Sequence, residues 1–266
     1  MAGTAERKPS VSERKDELHT LRPTERFTDR AADYARHRPT YPAGAIDAIL
    51  LGLGDPSGVV AADLGAGTGI SARLLADRGV FVHAVEPNAA MREAAEPHPR
   101  IHWVDAKAEA TTLPRQSVHV VVCAQSFHWF DPQPALAEVH RILHRGGRLS
   151  LLWNLPDERD PFTGAAYRAI RAAASADPAS VAHVRPEALF ASPLFGNQRV
   201  AEFSHVQRLD LEGLLGRIAS ASYVPKAGPL RESLDAEIRR LFALSADTTG
   251  HVSLHYATLD HLAERA

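Results

Sequence analysis

The chain has 266 residues, 45% hydrophobic and 23% charged, which suits one α/β domain with an elaboration and is ample for a core. A formal net charge of −2 argues against nucleic acid or an anionic membrane surface as the main partner. A lone cysteine, Cys123, excludes an internal disulfide framework and fits a reducing cytoplasm, and no apolar run reaches the roughly 18 residues of a membrane span.

Residues 1–22 are polar, mixed in charge and without an apolar signal core, and read as a disordered leader. Residues 24–52 read as helical, with Pro42 at a helix start. From residue 58 apolar runs of strand length alternate with helical stretches. GVVAADLG (58–65) is a buried strand and leads into a helix through TGISARLLADRG; FVHAVE (81–86) is a second strand, followed by helical NAAMREAAE. IHWVDA (101–106) and SVHVVVCAQ (117–125) are a third and a fourth. The helix PALAEVHRILHR then carries Leu136, Val139, Ile142 and Leu143 on one face and is expected to end at Gly146 and Gly147. RLSLLWN (148–154) is a fifth strand.

This alternation implies right-handed crossovers and a doubly wound parallel sheet, covered on both faces. Beyond it come an Ala-rich helix over 162–176 and a looser stretch, 177–196, with Pro178, Pro186 and Pro193. A strand near 199–206, helices near 210–220 and 230–244, and a strand near 251–259 complete the chain. No linker marks a clean domain boundary, so a single domain is expected.

The stretch ADLGAGTG (62–69) holds the chemistry. It lies at the carboxyl end of the first strand, where open α/β sheets bind ligands. Glycine permits positive φ and close backbone approach. A dinucleotide would call for G-x-G-x-x-G, but the glycines stand at 65, 67 and 69 and position 70 is Ile. Asp63 would also repel a pyrophosphate, whereas it would attract a ligand carrying an ammonium group. S-adenosylmethionine has that ammonium, a sulfonium and no phosphate. Glu86 ends the second strand in VEPN, where an acid can accept hydrogen bonds from ribose hydroxyls, with Pro87 and Met91 as apolar contacts for adenine. After the third strand, Asp105 or Glu109 could reach the adenine amino group; Glu109 is preferred, with Ala108 through its backbone.

Together DLGAGTG, VEPN, AEATTLP, AQSFHWFD and LHRGGRL resemble the class I S-adenosylmethionine-dependent methyltransferases, most of all the type 11 small-molecule group with its UbiE-like and trans-aconitate-methyltransferase-like members. The resemblance covers about residues 24–154 and, more faintly, the C-terminal third. It implies a Rossmann-like, seven-stranded, mostly parallel sheet with an antiparallel last strand, and a lid of helices. The domain would then run over 23–266, with 58–154 as the cofactor-binding core and 23–57 and 155–250 as lid and substrate elements. It implies further that Asp63, Gly65 and Gly67 hold the methionine part of the cofactor, Glu86 the ribose, and Ala108 with Glu109 the adenine edge. Gln125, Ser126 and Phe127 would line the sulfonium side, and Tyr34 and Arg38, in FTDRAADYARHRPTYP, the methionine end.

Methyl transfer from a sulfonium is an in-line displacement with a neutral leaving group, so alignment and exclusion of water matter most. A base is needed only if the acceptor must lose a proton, and His128 is the candidate, with a pocket-shaping role as the alternative. Trp129, Trp153, Asn154, Tyr223 and Tyr34 are candidate acceptor contacts. Cys123 sits in an apolar strand and reads as core, and no metal centre is expected. The function expected is methyl transfer to a small molecule, leaving S-adenosylhomocysteine, by a cytoplasmic monomer or homodimer. A non-methylating reaction with the same cofactor, such as cyclisation, is the alternative; a nicotinamide-dependent dehydrogenase is disfavoured by Asp63 and Ile70.

Overall fold

A computed structural model describes residue 18, residues 28–174 and residues 186–266. The leader expected over 1–22, apart from Leu18, and residues 177–185 of the looser stretch lie outside the described residues.

Seven strands form one sheet in the order β3-β2-β1-β4-β5-β7-β6. They are β1 (Val60–Leu64), β2 (Phe81–Val85), β3 (Ile101–Val104), β4 (Val118–Ala124), β5 (Leu143–Pro156), β6 (Phe195–Leu209) and β7 (Val252–Arg265). Strands β1 to β5 pair in parallel, and β7 runs antiparallel to both β5 and β6. The parallel centre follows from the sequence: Val120, Val121, Val122 and Cys123 of β4 are all fully buried, as a strand covered on both faces requires.

One core fills each face. Ile46 and Ile49 of α2 (Ala43–Leu50) and Leu75 of α3 (Ile70–Ala76) pack with Val82 and Val120 on one side. Leu136 and Val139 of α5 (Pro132–Ile142) pack with Leu64, Val121 and Trp153 on the other. A third cluster joins α6 (Pro161–Ala173), α8 (Leu211–Ala219) and α9 (Pro229–Ser245) to the start of β7. Against α8 lies α1 (Ala31–His37), so the N-terminal helix and the late helices form one body over the carboxyl ends of the strands. The short helices α4 (Ala89–Glu93) and α7 (Glu187–Phe190) complete the set among the described residues.

Side-chain caps set three of the helix starts. Asp160 accepts from Thr163 N (2.7 Å) ahead of α6, Asp210 from Gly213 N (2.8 Å) ahead of α8, and Asn88 from Met91 N (3.3 Å) ahead of α4. Pro42 is the residue before α2 rather than its first turn. One boundary differs from the sequence reading. Helix α5 stops at Ile142 and the chain enters β5 at once, with Leu143 opposite Val118 and Arg148 opposite Val120. The intervening residues bulge out of the ladder. Gly146 takes a positive φ of 69°, and a side chain at Gly147 would meet the carbonyl oxygens of His144 and His119 at 2.9 and 3.0 Å. The paired glycines therefore serve a strand bulge, not a helix end.

Candidate functional site

The turn from β1 to α3 is shaped by close approach. Gly65 has φ +65°, and a Cβ there would stand 2.7 Å from Ser126 Cβ and 3.1 Å from the Phe130 ring. Gly67 has φ +58°, and its Cβ would lie 3.2 Å from the Met91 methyl and 3.7 Å from the Tyr34 ring. Ser126 locks the next loop beneath it by donating to the Leu64 carbonyl at 2.6 Å. The glycines thus bring together three of the segments singled out in the sequence: the one after β4, the one after β2, and α1.

Two carboxylates support this turn. Asp63 is fully buried; its Oδ2 accepts from Ser71 Oγ at 2.6 Å, and its Oδ1 has no partner. Burial raises its pKa to about 7. Glu86 accepts from Gly67 N through Oε2 and from Asn88 N through Oε1, both at 2.9 Å. Burial pushes its pKa up, against the pull of those two amides. A buried acceptor without a partner is costly. Asp63 Oδ1 therefore keeps an open acceptor position that a cationic donor would satisfy.

Above the turn, the Arg38 guanidinium sits 4.7 Å from the Tyr34 ring centre and donates to the Ser220 carbonyl at 3.1 Å. Tyr41 is buried nearby; its pKa is raised first by burial, then by Tyr34 and Asp63, and lowered by Arg38. A cation on the α1 side and carboxylates under the turn thus frame a gap suited to a zwitterion. Sequence reasoning missed Tyr41 and Ser71. Ser71 carried a readable signal, since it lies one helical turn past Gly67 and can reach back to the strand end.

At the edge of β2, Met91 is buried and Pro87 half-buried. Asp105 is exposed and paired with Arg92 at 2.9 Å, while Glu109 is half-buried and accepts from Asp131 N at 3.0 Å. Ala108 packs into the core. Gln125 takes φ +53° and donates to the Asn154 carbonyl at 2.9 Å. Phe127 turns into the core, 6.1 Å edge-on to Phe130, so it faces the site through its backbone.

Among the candidate acceptor contacts, His128 and Trp129 are half-buried with ring centres 5.2 Å apart. Trp153 is core, 1% exposed, and donates its indole N–H to His128 Nδ1 at 3.3 Å. Asn154 is buried as a brace, donating to the Thr40 carbonyl (2.9 Å) and accepting from Thr258 (2.6 Å). Tyr223 lies half-buried among the late helices.

The chain resembles known methyltransferases. A family model described as a methyltransferase domain matches residues 62–151, from Ala62 of β1 to Leu151 of β5. That stretch resembles a methyltransferase domain. The chain is 40% identical over 134 residues to an uncharacterized methyltransferase of Mycobacterium tuberculosis, covering 50% of this chain and 54% of that protein. Here the chain spans about half the length of the curated relatives it matches. An uncharacterized methyltransferase-like protein of Schizosaccharomyces pombe is 29% identical over 244 residues, 90% of this chain and 95% of its own length. Among solved structures, one from Anaeromyxobacter dehalogenans assigned as a type II methyltransferase superposes with a TM-score of 0.62 at 26% identity, over 86% of this chain and 96% of that one. The resemblance and the fold class read from the sequence are both borne out.

Proposed function

We propose that the protein transfers a methyl group from S-adenosylmethionine to a small-molecule acceptor. One observation carries the reading: the bare glycine turn stands over a buried carboxylate whose Oδ1 has no donor, with a second carboxylate at the end of β2. The cofactor supplies an electrophilic methyl on a sulfonium. Asp63 meets its ammonium, Glu86 its ribose, Tyr34 and Arg38 its methionine end, and Gly65 and Gly67 let it approach the backbone. Ala108 and Glu109 face the adenine edge. Gln125, Ser126 and the Phe127 backbone flank the sulfur, while His128, Trp129 and Tyr223 face the acceptor.

The loop offers no phosphate cradle, because the Gly67 amide already serves Glu86. The near-neutral charge of −2 supports a small molecule over nucleic acid or a membrane surface, and no described helix is long and apolar enough to cross a membrane. A cytoplasmic monomer or homodimer suits the buried free thiol of Cys123.

Calorimetric titration with S-adenosylhomocysteine and with NAD tests the pocket. The expected result is saturable uptake of the first and none of the second; the reverse overturns the proposal. A labelled methyl donor incubated with acceptor panels tests transfer.

A further inference from the structure

Arg30 stands just ahead of α1 and Arg38 just behind it. With Tyr34 between them, the three recur every fourth residue, the spacing of one helix side. Both arginines reach the same short segment, residues 219–224, where α8 ends. Arg30 is buried; its Nη1 donates to the carbonyls of Ala219, at 2.8 Å, and of Ala221, and its Nη2 donates to that of Val224 at 2.8 Å. Arg38 donates to the carbonyl of Ser220 at 3.1 Å. The last carbonyls of a helix lack partners within it and carry partial negative charge, so a cation placed there is favoured.

The carboxyl end of α1 is tied to the sheet: Gln207 of β6 donates to the His37 carbonyl at 2.8 Å, and Asn154 of β5 to that of Thr40 at 2.9 Å. At the amino end, Asn88 donates to the Thr28 hydroxyl at 3.0 Å, Lys226 pairs with Asp29, and Arg30 holds the end of α8. Thr28 and Asp29 are exposed, and an exposed ion pair is a weak tie. The buried, charge-assisted contacts of Arg30 are the strong one. Tyr34 lies about 6 Å further along the helix axis. Its ring faces Gly67, 3.7 Å from where a Cβ would stand there, and the Arg38 guanidinium sits 4.7 Å from the ring centre. The anchoring of Arg30 therefore sets where that ring and that cation stand.

We propose that Arg30 is a positioning residue for the transfer reaction: by gripping the end of α8 it holds α1, and with it Tyr34 and Arg38, over the glycine turn. This deepens the methyltransferase reading and rests on it. Arg30 acts through α1 and not by contact with the cofactor. Its planar fork serves three carbonyls at once, which the single ammonium of a lysine does not reproduce. The same grip shapes residues 219–224, which include Tyr223, so one guanidinium joins the cofactor side of the gap to the acceptor side.

The test is calorimetric titration of the full chain with S-adenosylhomocysteine, run well below the melting temperature of each variant so that folded protein is measured. No uptake by the wild type overturns the cofactor reading and this inference with it. Where the wild type binds, the variants judge Arg30 alone. Arg30→Met should weaken binding about tenfold, the scale of a lost hydrogen bond to a charged group, and Arg30→Lys should recover part of that loss. A merely structural Arg30 would lower the melting temperature and leave the affinity of the folded protein unchanged. Arg30→Met combined with Arg38→Met should lose less than the product of the two single losses, because the first acts by displacing the second. Wild-type affinity in Arg30→Met, or single losses that simply multiply, would overturn the proposal. Should Arg30→Met fail to fold, Arg30→Lys decides: a several-fold loss supports the proposal and wild-type affinity overturns it.

Discussion

The indole N–H of Trp153 points at Nδ1 of His128, 3.3 Å away. Trp153 is held in the core on β5, so the direction of its N–H is fixed, and a buried indole N–H takes an acceptor. That contact assigns the neutral imidazole its proton on Nε2. His128 then presents a hydrogen-bond donor. Action as a base through Nε2 would require the opposite tautomer, with N–H facing N–H.

The first prediction concerns that ring. Nitrogen NMR of histidine-labelled protein should show His128 as the Nε2–H tautomer. His128→Gln, whose amide offers a donor at nearly the same reach, should keep more turnover than His128→Ala. A loss of kcat beyond about a hundredfold in His128→Gln would instead mark proton transfer.

A second prediction follows from Asp63, whose pKa burial lifts from 3.8 to about 7. Between those values the folded chain holds a proton that the unfolded chain has lost. This group therefore favours folding most at low pH, and its contribution disappears as pH rises toward 7. An ammonium at Oδ1 needs the carboxylate form. Binding of S-adenosylhomocysteine should release a proton below pH 7, and affinity should climb by up to about tenfold per pH unit before levelling off. Calorimetry in buffers of different ionisation enthalpy counts that proton, and Asp63→Asn should remove both effects.

The two glycines of the turn should respond differently to substitution. Gly65→Ala places a methyl 2.7 Å from Ser126 Cβ at a φ of +65°, where the neighbour is a locked loop. It should cost about 2–4 kcal/mol of stability, read by urea unfolding. Gly67→Ala meets the flexible end of Met91 at 3.2 Å. It should fold with a smaller loss, about 1–2 kcal/mol from the φ of +58°, yet bind S-adenosylhomocysteine at least about tenfold more weakly.

Glu86→Gln turns an amide NH2 toward either Gly67 N or Asn88 N, each of which now donates to a carboxylate oxygen at 2.9 Å. Two donors then face each other. Loss of one charge-assisted bond should weaken S-adenosylhomocysteine binding about ten- to a hundredfold, because the turn itself loosens. A change below twofold in titration would contradict the placement of Glu86 beneath the loop.

The parallel centre of the sheet was readable because β1, β2 and β4 are largely apolar, and several helices announce themselves with Asp, Asn or Pro at the start. The junction of α5 and β5 was not, because a Gly-Gly pair reads the same at a helix end and in a bulge; the difference lies in the pairing of Leu143 with Val118, a contact distant in sequence. In the site, Asp63, Gly65, Gly67 and Glu86 declared themselves by type and place. Ser71 could have been found from its spacing to Gly67, but Tyr41 could not: it matters through burial beside groups on other elements, and sequence spacing holds no record of that.

Strand β7 lies between β5 and β6 although it follows both along the chain. During synthesis β6 emerges with nothing to zip against, and α8 and α9 are made while that edge is still open. Closure of the sheet and seating of the helices above the cofactor gap thus wait on the same late segment, Val252–Arg265. A chain cut before Val252 would retain every residue of the glycine turn and still lose the platform over it.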